Sequence, residues 1–183
     1  MQNQLTPQKY ILTKGRNLQF GECYISQNWK KSGMATIVLA KIMPSGNYIF
    51  ATYLVDIFCL GIKDTSYKFN ISKVEFHELL EKFNSRNIVL ECEIATIHNI
   101  IYGAIDYAAE LGFKPCKEFE LTEHLLNPDL IDDGIDEIEF GKNGMPLYIS
   151  GPFDNIKRII ATLDQSVGEG NYHYITGNDE NFE

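Results

Sequence analysis

Two long apolar runs joined by a three-residue turn constrain this chain most. Residues 36–43 read TIVLAKIM and 47–58 read NYIFATYLVDIF, with Pro44-Ser45-Gly46 between them. Proline presets the first turn position, and glycine takes the left-handed conformation of a bulged hairpin turn. β-Branched and aromatic residues fill both runs, so a β-hairpin is predicted over about 36–58. In the second arm, Phe50, Leu54 and Phe58 alternate with Ile49, Ala51, Tyr53, Val55 and Ile57. Both faces are apolar, which predicts a central strand covered on both sides. Residues 18–25 (LQFGECYI) read as a third strand and 66–69 as a short fourth.

Asp56 lies inside that apolar arm. A buried carboxylate needs a partner, or its pKa rises until it is neutral. The residues leave two readings open. In the leading one, Asp56 is a structural partner of a lysine such as Lys63 or Lys41, of a backbone N–H or of a hydroxyl. In the other it holds a divalent metal with Asp64 and with Asp106 and Glu110, which stand i, i+4 on a long helix. That set points to a metal-dependent hydrolase, most simply a nuclease.

After residue 71 the hydrophobic period changes. Ser72-Lys73-Val74-Glu75 fits a capping box and opens a helix over about 73–84. A longer helix follows over about 92–111, with Ile94, Ile97, Ile101, Ala104 and Ala108 in its buried stripe, and a third covers about 117–126. Residues 137–140 and 147–150 flank Gly141-Lys142-Asn143-Gly144, a hairpin signal. Pro152 then opens a helix carrying Ile156, Ile159, Ile160 and Leu163, and 172–175 forms a last strand. The fold class is α+β: an antiparallel sheet, three central helices and a C-terminal ββαβ unit. One domain over 1–183 is expected, with sub-lobes at 1–126 and 137–175 and a disordered tail at 176–183.

The N-terminus, MQNQLTPQKY, has no apolar leader and no run is long enough to span a membrane, so a cytoplasmic chain is expected. Cys23, Cys59, Cys92 and Cys116 are scattered without C-x-x-C spacing and read as reduced thiols. His77, His98, His124 and His173 show no ligand spacing. His98, Tyr102 and Asp106 form a helical row, either a hydrogen-bonded flank or a proton-relay edge. The acidic stretch 127–136 fails the EF-hand pattern, because with Gly134 at the glycine position the last ligand falls on Phe140. Nucleophile-elbow, P-loop and dinucleotide motifs are absent, which disfavours those chemistries.

Charge is divided along the chain. Residues 1–73 carry nine Lys/Arg against three acids, and 74–183 carry seven against 22, giving +6 and −15 within a total of −9. The halves can attract one another, within a monomer or between copies as a homo-oligomer; the basic part can also meet an acidic partner, protein or nucleic acid. Arg16, Trp29, Lys30 and Lys31 are the candidate contact residues, with Trp29 on a loop either facing the partner or folded back as a lid on the core.

The segments NWKKSGMATIVLAK, YLVDIFCLGIKDT and HNIIYGAIDYAAELGFKP, with FGKNGMPLYISGPFDN and VGEGNYHYI near the end, resemble a family of small, functionally uncharacterised bacterial proteins. The resemblance implies a complete unit and attaches no activity, cofactor or catalytic residue. The leading expectation is therefore a non-enzymatic binding or accessory module without a cofactor. The alternative is the hydrolase using Asp56, Asp64 and Asp106 with a divalent metal.

Overall fold

In the structure, a computed structural model describing residues 5–131 and 138–177, the predicted hairpin forms. Strands β2 (Met34–Ile42) and β3 (Tyr48–Asp56) pair antiparallel with Ile42 opposite Tyr48. Gly46 sits at φ +84°, and its N–H donates to the Met43 carbonyl at 2.9 Å to close the turn. Strand β1 (Gln19–Ser26) pairs with β2, and β4 (Gly61–Ile71) pairs with β3. A three-residue strand, β5 (Val89–Glu91), adds to β1, giving the antiparallel order β4-β3-β2-β1-β5.

The hairpin is covered along one face and over part of the other. Ile49, Ala51, Tyr53 and Val55 share one core with Ile97, Ile100, Ile101 and Ala104 of the long helix Ile94–Glu110. On the other face Val38, Ala40, Tyr48 and Phe50 pack around Phe76 of the helix Lys73–Asn84. Ser72 Oγ accepts the Glu75 N–H at 3.1 Å, the predicted cap, which contributes ~1 kcal/mol. That helix covers only the turn end of its face. Toward the other end Thr36, Thr52 and Leu54 are half-buried and Ser66 is exposed.

In chain order the helices are α1 (Pro7–Lys14), α2 (Trp29–Ser32), α3 (Lys73–Asn84), α4 (Ile94–Glu110), α5 (Phe119–Thr122) and α6 (Ile156–Ser166), with short 3₁₀ turns between some of them. The helix expected over 117–126 is only α5 followed by a 3₁₀ turn, Glu123–Leu125. The strand expected at 66–69 extends to eleven residues in β4.

The terminal unit differs from the expected ββαβ. Residues 138–140 form no strand; β6 (Leu147–Ile149) and β7 (His173–Ile175) pair parallel across α6, a βαβ unit. The turn signal at 141–144 is used differently. Gly141 N–H donates to the Ile57 carbonyl at 2.9 Å and Leu147 N–H to the Phe58 carbonyl at 3.1 Å, tying this segment to the end of β3. Asn155 caps α6 through Oδ1, which accepts the Arg158 N–H at 3.1 Å, so the helix starts after the Pro152 turn. Tyr148 and Leu163 of the unit pack with Cys59, Leu60 and Leu111. The tail beyond Gly177 and the acids Asp132, Asp133 and Asp136 lie outside the described residues. No helix of the described residues is long and apolar enough to cross a membrane.

Candidate functional site

Asp56 ends β3 as the chain leaves the sheet, 4% exposed. Its Oδ1 accepts the backbone N–H groups of Phe58 at 2.9 Å and Cys59 at 3.0 Å. Burial raises its pKa to about 6, against the pull of backbone amides at Phe58, Leu60 and Cys59 and the charge of Lys63. The carboxylate therefore organises the turn that follows β3. Lys63 is itself held by Asp154, whose Oδ2 accepts from Lys63 Nζ at 3.0 Å, Gly151 N at 2.8 Å and Tyr148 Oη at 3.2 Å. Lys41, the other lysine considered for Asp56, points elsewhere.

The remaining acids of the metal reading stand apart from this turn. Asp64 is exposed on β4 opposite Leu54, and Asp106 is exposed on α4. Among the described residues no three His, Cys, Asp or Glu side chains are grouped to hold a metal ion. The row His98, Tyr102, Asp106 splits as well: His98 is fully buried and stacks on Tyr102 with ring centroids 6.1 Å apart, while Asp106 faces solvent.

Trp29 is the lid. It is 8% exposed and belongs to the core on the α4 side, so its ring is not available as a partner contact. Lys30 Nζ lies 5.3 Å from the ring centroid, and Lys30 and Lys31 are exposed on α2. Arg16 is exposed too, but it precedes β1 whereas α2 follows it. An eight-residue strand separates them by roughly 25 Å, so the four expected contact residues do not make one patch.

Beside α2, however, an open groove of about 410 Å³ lies at the α2 end of the β1–β2 pair. Its walls come from Gln27 and Asn28 after β1, Ser32 of α2, Thr36 of β2, and Arg86 and Asn87 between α3 and β5. Ser26 Oγ at its edge accepts the Thr36 N–H at 3.0 Å and fixes the strand ends. Gln27 N–H donates to the Ile88 carbonyl at 2.8 Å, which holds the two walls together. The lining has amides, hydroxyls and one guanidinium beside the apolar Met34 and Ile88, and no carboxylate. Three other clefts each carry a glutamate: Glu139 near Trp29, Glu120 and Glu123 beside Tyr102, and Glu22, Glu91 and Glu93 beside Cys92. Arg86 is exposed and makes no ion pair among the described residues. The sequence marks this groove only as polar loops at 26–28 and 85–88, a signal shared by most turns.

Lys41 is a charged group whose setting the sequence does not show. It is 0% exposed on β2, with Nζ 3.3 Å from the centre of the Phe20 ring and a bond to the Arg16 carbonyl at 3.4 Å. Burial without a carboxylate brings its pKa down to about 8.

Comparison of the chain with protein-family models, curated proteins and solved structures finds no match.

Proposed function

We propose that this protein is a non-enzymatic binding module of the cytoplasm that receives an acidic segment of a protein partner in the groove between α2 and the α3–β5 connection. One observation carries the reading. In a chain with 25 acids and 16 Lys/Arg, the groove has no carboxylate and presents Arg86, with Lys30 and Lys31 on the adjoining helix. Amides at Gln27, Asn28 and Asn87 can donate to a carboxylate beside the guanidinium. The net charge of −9 opposes the phosphate density of a nucleic acid more than a short acidic segment.

Trp29, the chain's single tryptophan, is the buried first residue of the same helix and reports on it. Titration with an oligoglutamate peptide is expected to change Trp29 emission, with affinity falling as salt rises. The triple variant Lys30→Gln, Lys31→Gln, Arg86→Gln is expected to lose the response with its melting temperature unchanged. An equal response in that variant removes the groove from the reading, and preferential binding of a single-stranded oligonucleotide replaces the acidic peptide with nucleic acid.

A further inference from the structure

At the outer edge of the sheet, β5 returns along β1 with Tyr24 opposite Glu91, Ile25 opposite Leu90 and Ser26 opposite Val89. The same antiparallel register sets Cys23 against Cys92 one step further on. The Cys92 N–H donates to the Cys23 carbonyl at 3.1 Å, and the Cys23 thiol donates to the Cys92 carbonyl at 2.7 Å. The two side chains also interact directly with each other. Neither thiol is in a disulfide. Cys23 is 5% exposed and Cys92 half-buried, and both line an open trench of about 470 Å³ with Phe20 and Ile94. A small oxidant can therefore reach a dithiol that neither the fold nor the groove requires to be chemically reactive.

We propose that Cys23 and Cys92 are a reversible dithiol–disulfide site, oxidised by a peroxide, that staples β5 to β1. The geometry supplies two thiols on directly facing positions and one shared opening. The Cys92 S–H can donate to the Cys23 thiolate, which favours ionisation of Cys23, while burial, Glu93 and Glu91 work against it. Cys92 is correspondingly harder to ionise, first through its bond to Cys23 and then through burial. Cys23 is thus the sulfur that reacts first.

The step balances. Cys23 releases its proton and its thiolate attacks one peroxide oxygen; the O–O bond breaks, and the leaving hydroxide is protonated to water. Cys92 then gives up its proton and attacks the sulfenic sulfur; the S–S bond forms, the S–O bond breaks, and the second hydroxide leaves as water. Two thiols and one hydrogen peroxide give one disulfide and two waters, with two electrons passing from sulfur to peroxide. Because β5 directly follows the Arg86–Asn87 wall of the groove, the staple also fixes one side of it.

The test uses the full chain, reduced, freed of reductant, treated with hydrogen peroxide, and then alkylated after unfolding in guanidinium, because Cys59 is fully buried in the fold. The expected product has lost about 2 Da, retains two alkylations, at Cys59 and Cys116, and yields a peptide pair linked through Cys23 and Cys92 that dithiothreitol separates. In Cys92→Ser the link disappears and Cys23 is instead captured by dimedone as a sulfenic acid. Alkylation of all four cysteines after peroxide, or a link through Cys59 or Cys116, overturns the proposal.

Discussion

The backbone N–H of Asn127 donates to Nε2 of His98 at 2.9 Å, while His98 Nδ1 lies 2.7 Å from the Ile94 carbonyl. One nitrogen must accept and the other must donate, so the ring is neutral with its proton on Nδ1. Burial holds its pKa below the ordinary value, helped by the charge of Lys41 and opposed by the bond to Ile94. The unfolded chain therefore takes up the proton first as pH falls. The stability that neutral His98 contributes is complete above about pH 6.5 and is lost as pH drops through its lowered folded value. Urea midpoints of wild type and His98→Gln are expected to diverge with pH, the wild type losing more below pH 6. Parallel pH profiles would show that His98 is not the acid-sensitive bolt between α4 and Asn127.

Asp56 has the opposite sign. Its folded pKa of about 6 lies above the ordinary carboxylate value, so the folded chain binds the proton more tightly than the unfolded one. The associated stability is present below about pH 4 and is lost as pH rises through 6. Asp56→Ala leaves the Phe58 and Cys59 amides without their acceptor and is expected to cost ~2–4 kcal/mol in chemical denaturation at pH 7. Asp56→Asn keeps an oxygen at Oδ1 and carries no buried charge, so its cost at pH 7 is expected to be smaller. Acidification to pH 4 is expected to favour wild type over Asn. Equal losses for Ala and Asn at pH 7 would mean that the charge, and not the acceptor, organises the turn.

Elements with a strong local signal were the readable ones. The Pro44–Gly46 turn, the two-faced β3 and the Ser72 cap each state one structure in adjacent residues. The sequence shows only 66–69 of β4 because Asp64 and Asn70 bound that run; in the sheet both are, like Ser66 and Lys68, exposed edge-strand alternates. β5 has no signal in the sequence because three residues with Leu90 and Glu91 exposed have no pattern of their own and exist as a strand through pairing with β1. The strand expected at 137–140 failed over 138–140 because the neighbouring amides found the carbonyls of Ile57 and Phe58. Charge in the sequence points to Lys30 and Lys31, which stand on the adjoining α2, whereas Arg86 comes to the groove only through the fold. The facing of Cys23 and Cys92 likewise requires the β1–β5 register, which nothing local encodes.

Lys41 offers a test of a buried charge that stabilises little. Ammonium burial disfavours the protonated form, and the Phe20 face with the Arg16 carbonyl offsets only part of that loss. Lys41→Met keeps the volume of the aliphatic stem and is expected to raise stability by ~1–3 kcal/mol at pH 7. A base with a lowered folded pKa gains stability as pH rises between its folded and unfolded values. Wild type should therefore approach the variant between about pH 8 and 10, measured by urea unfolding at each pH. A variant that is less stable at pH 7 would assign the ammonium a net stabilising contact.

Gly33 tests how firmly α2 is placed beside the groove. It caps the helix at φ +73°, and a Cβ there would come within 2.1 Å of the Phe58 ring. Phe58 is 4% exposed and its backbone N–H is held by Asp56, so neither ring nor backbone has room to yield. Gly33→Ala combines a left-handed backbone with an overlap in the core and is expected to cost ~3 kcal/mol or more. The four residues of α2 carry the buried Trp29 with Lys30 over its ring, and the exposed Lys31. Displacing the helix should therefore shift Trp29 emission to the red and weaken capture of the acidic peptide together. Retained peptide affinity with red-shifted emission would separate the groove from the helix and leave Arg86 as its working cation.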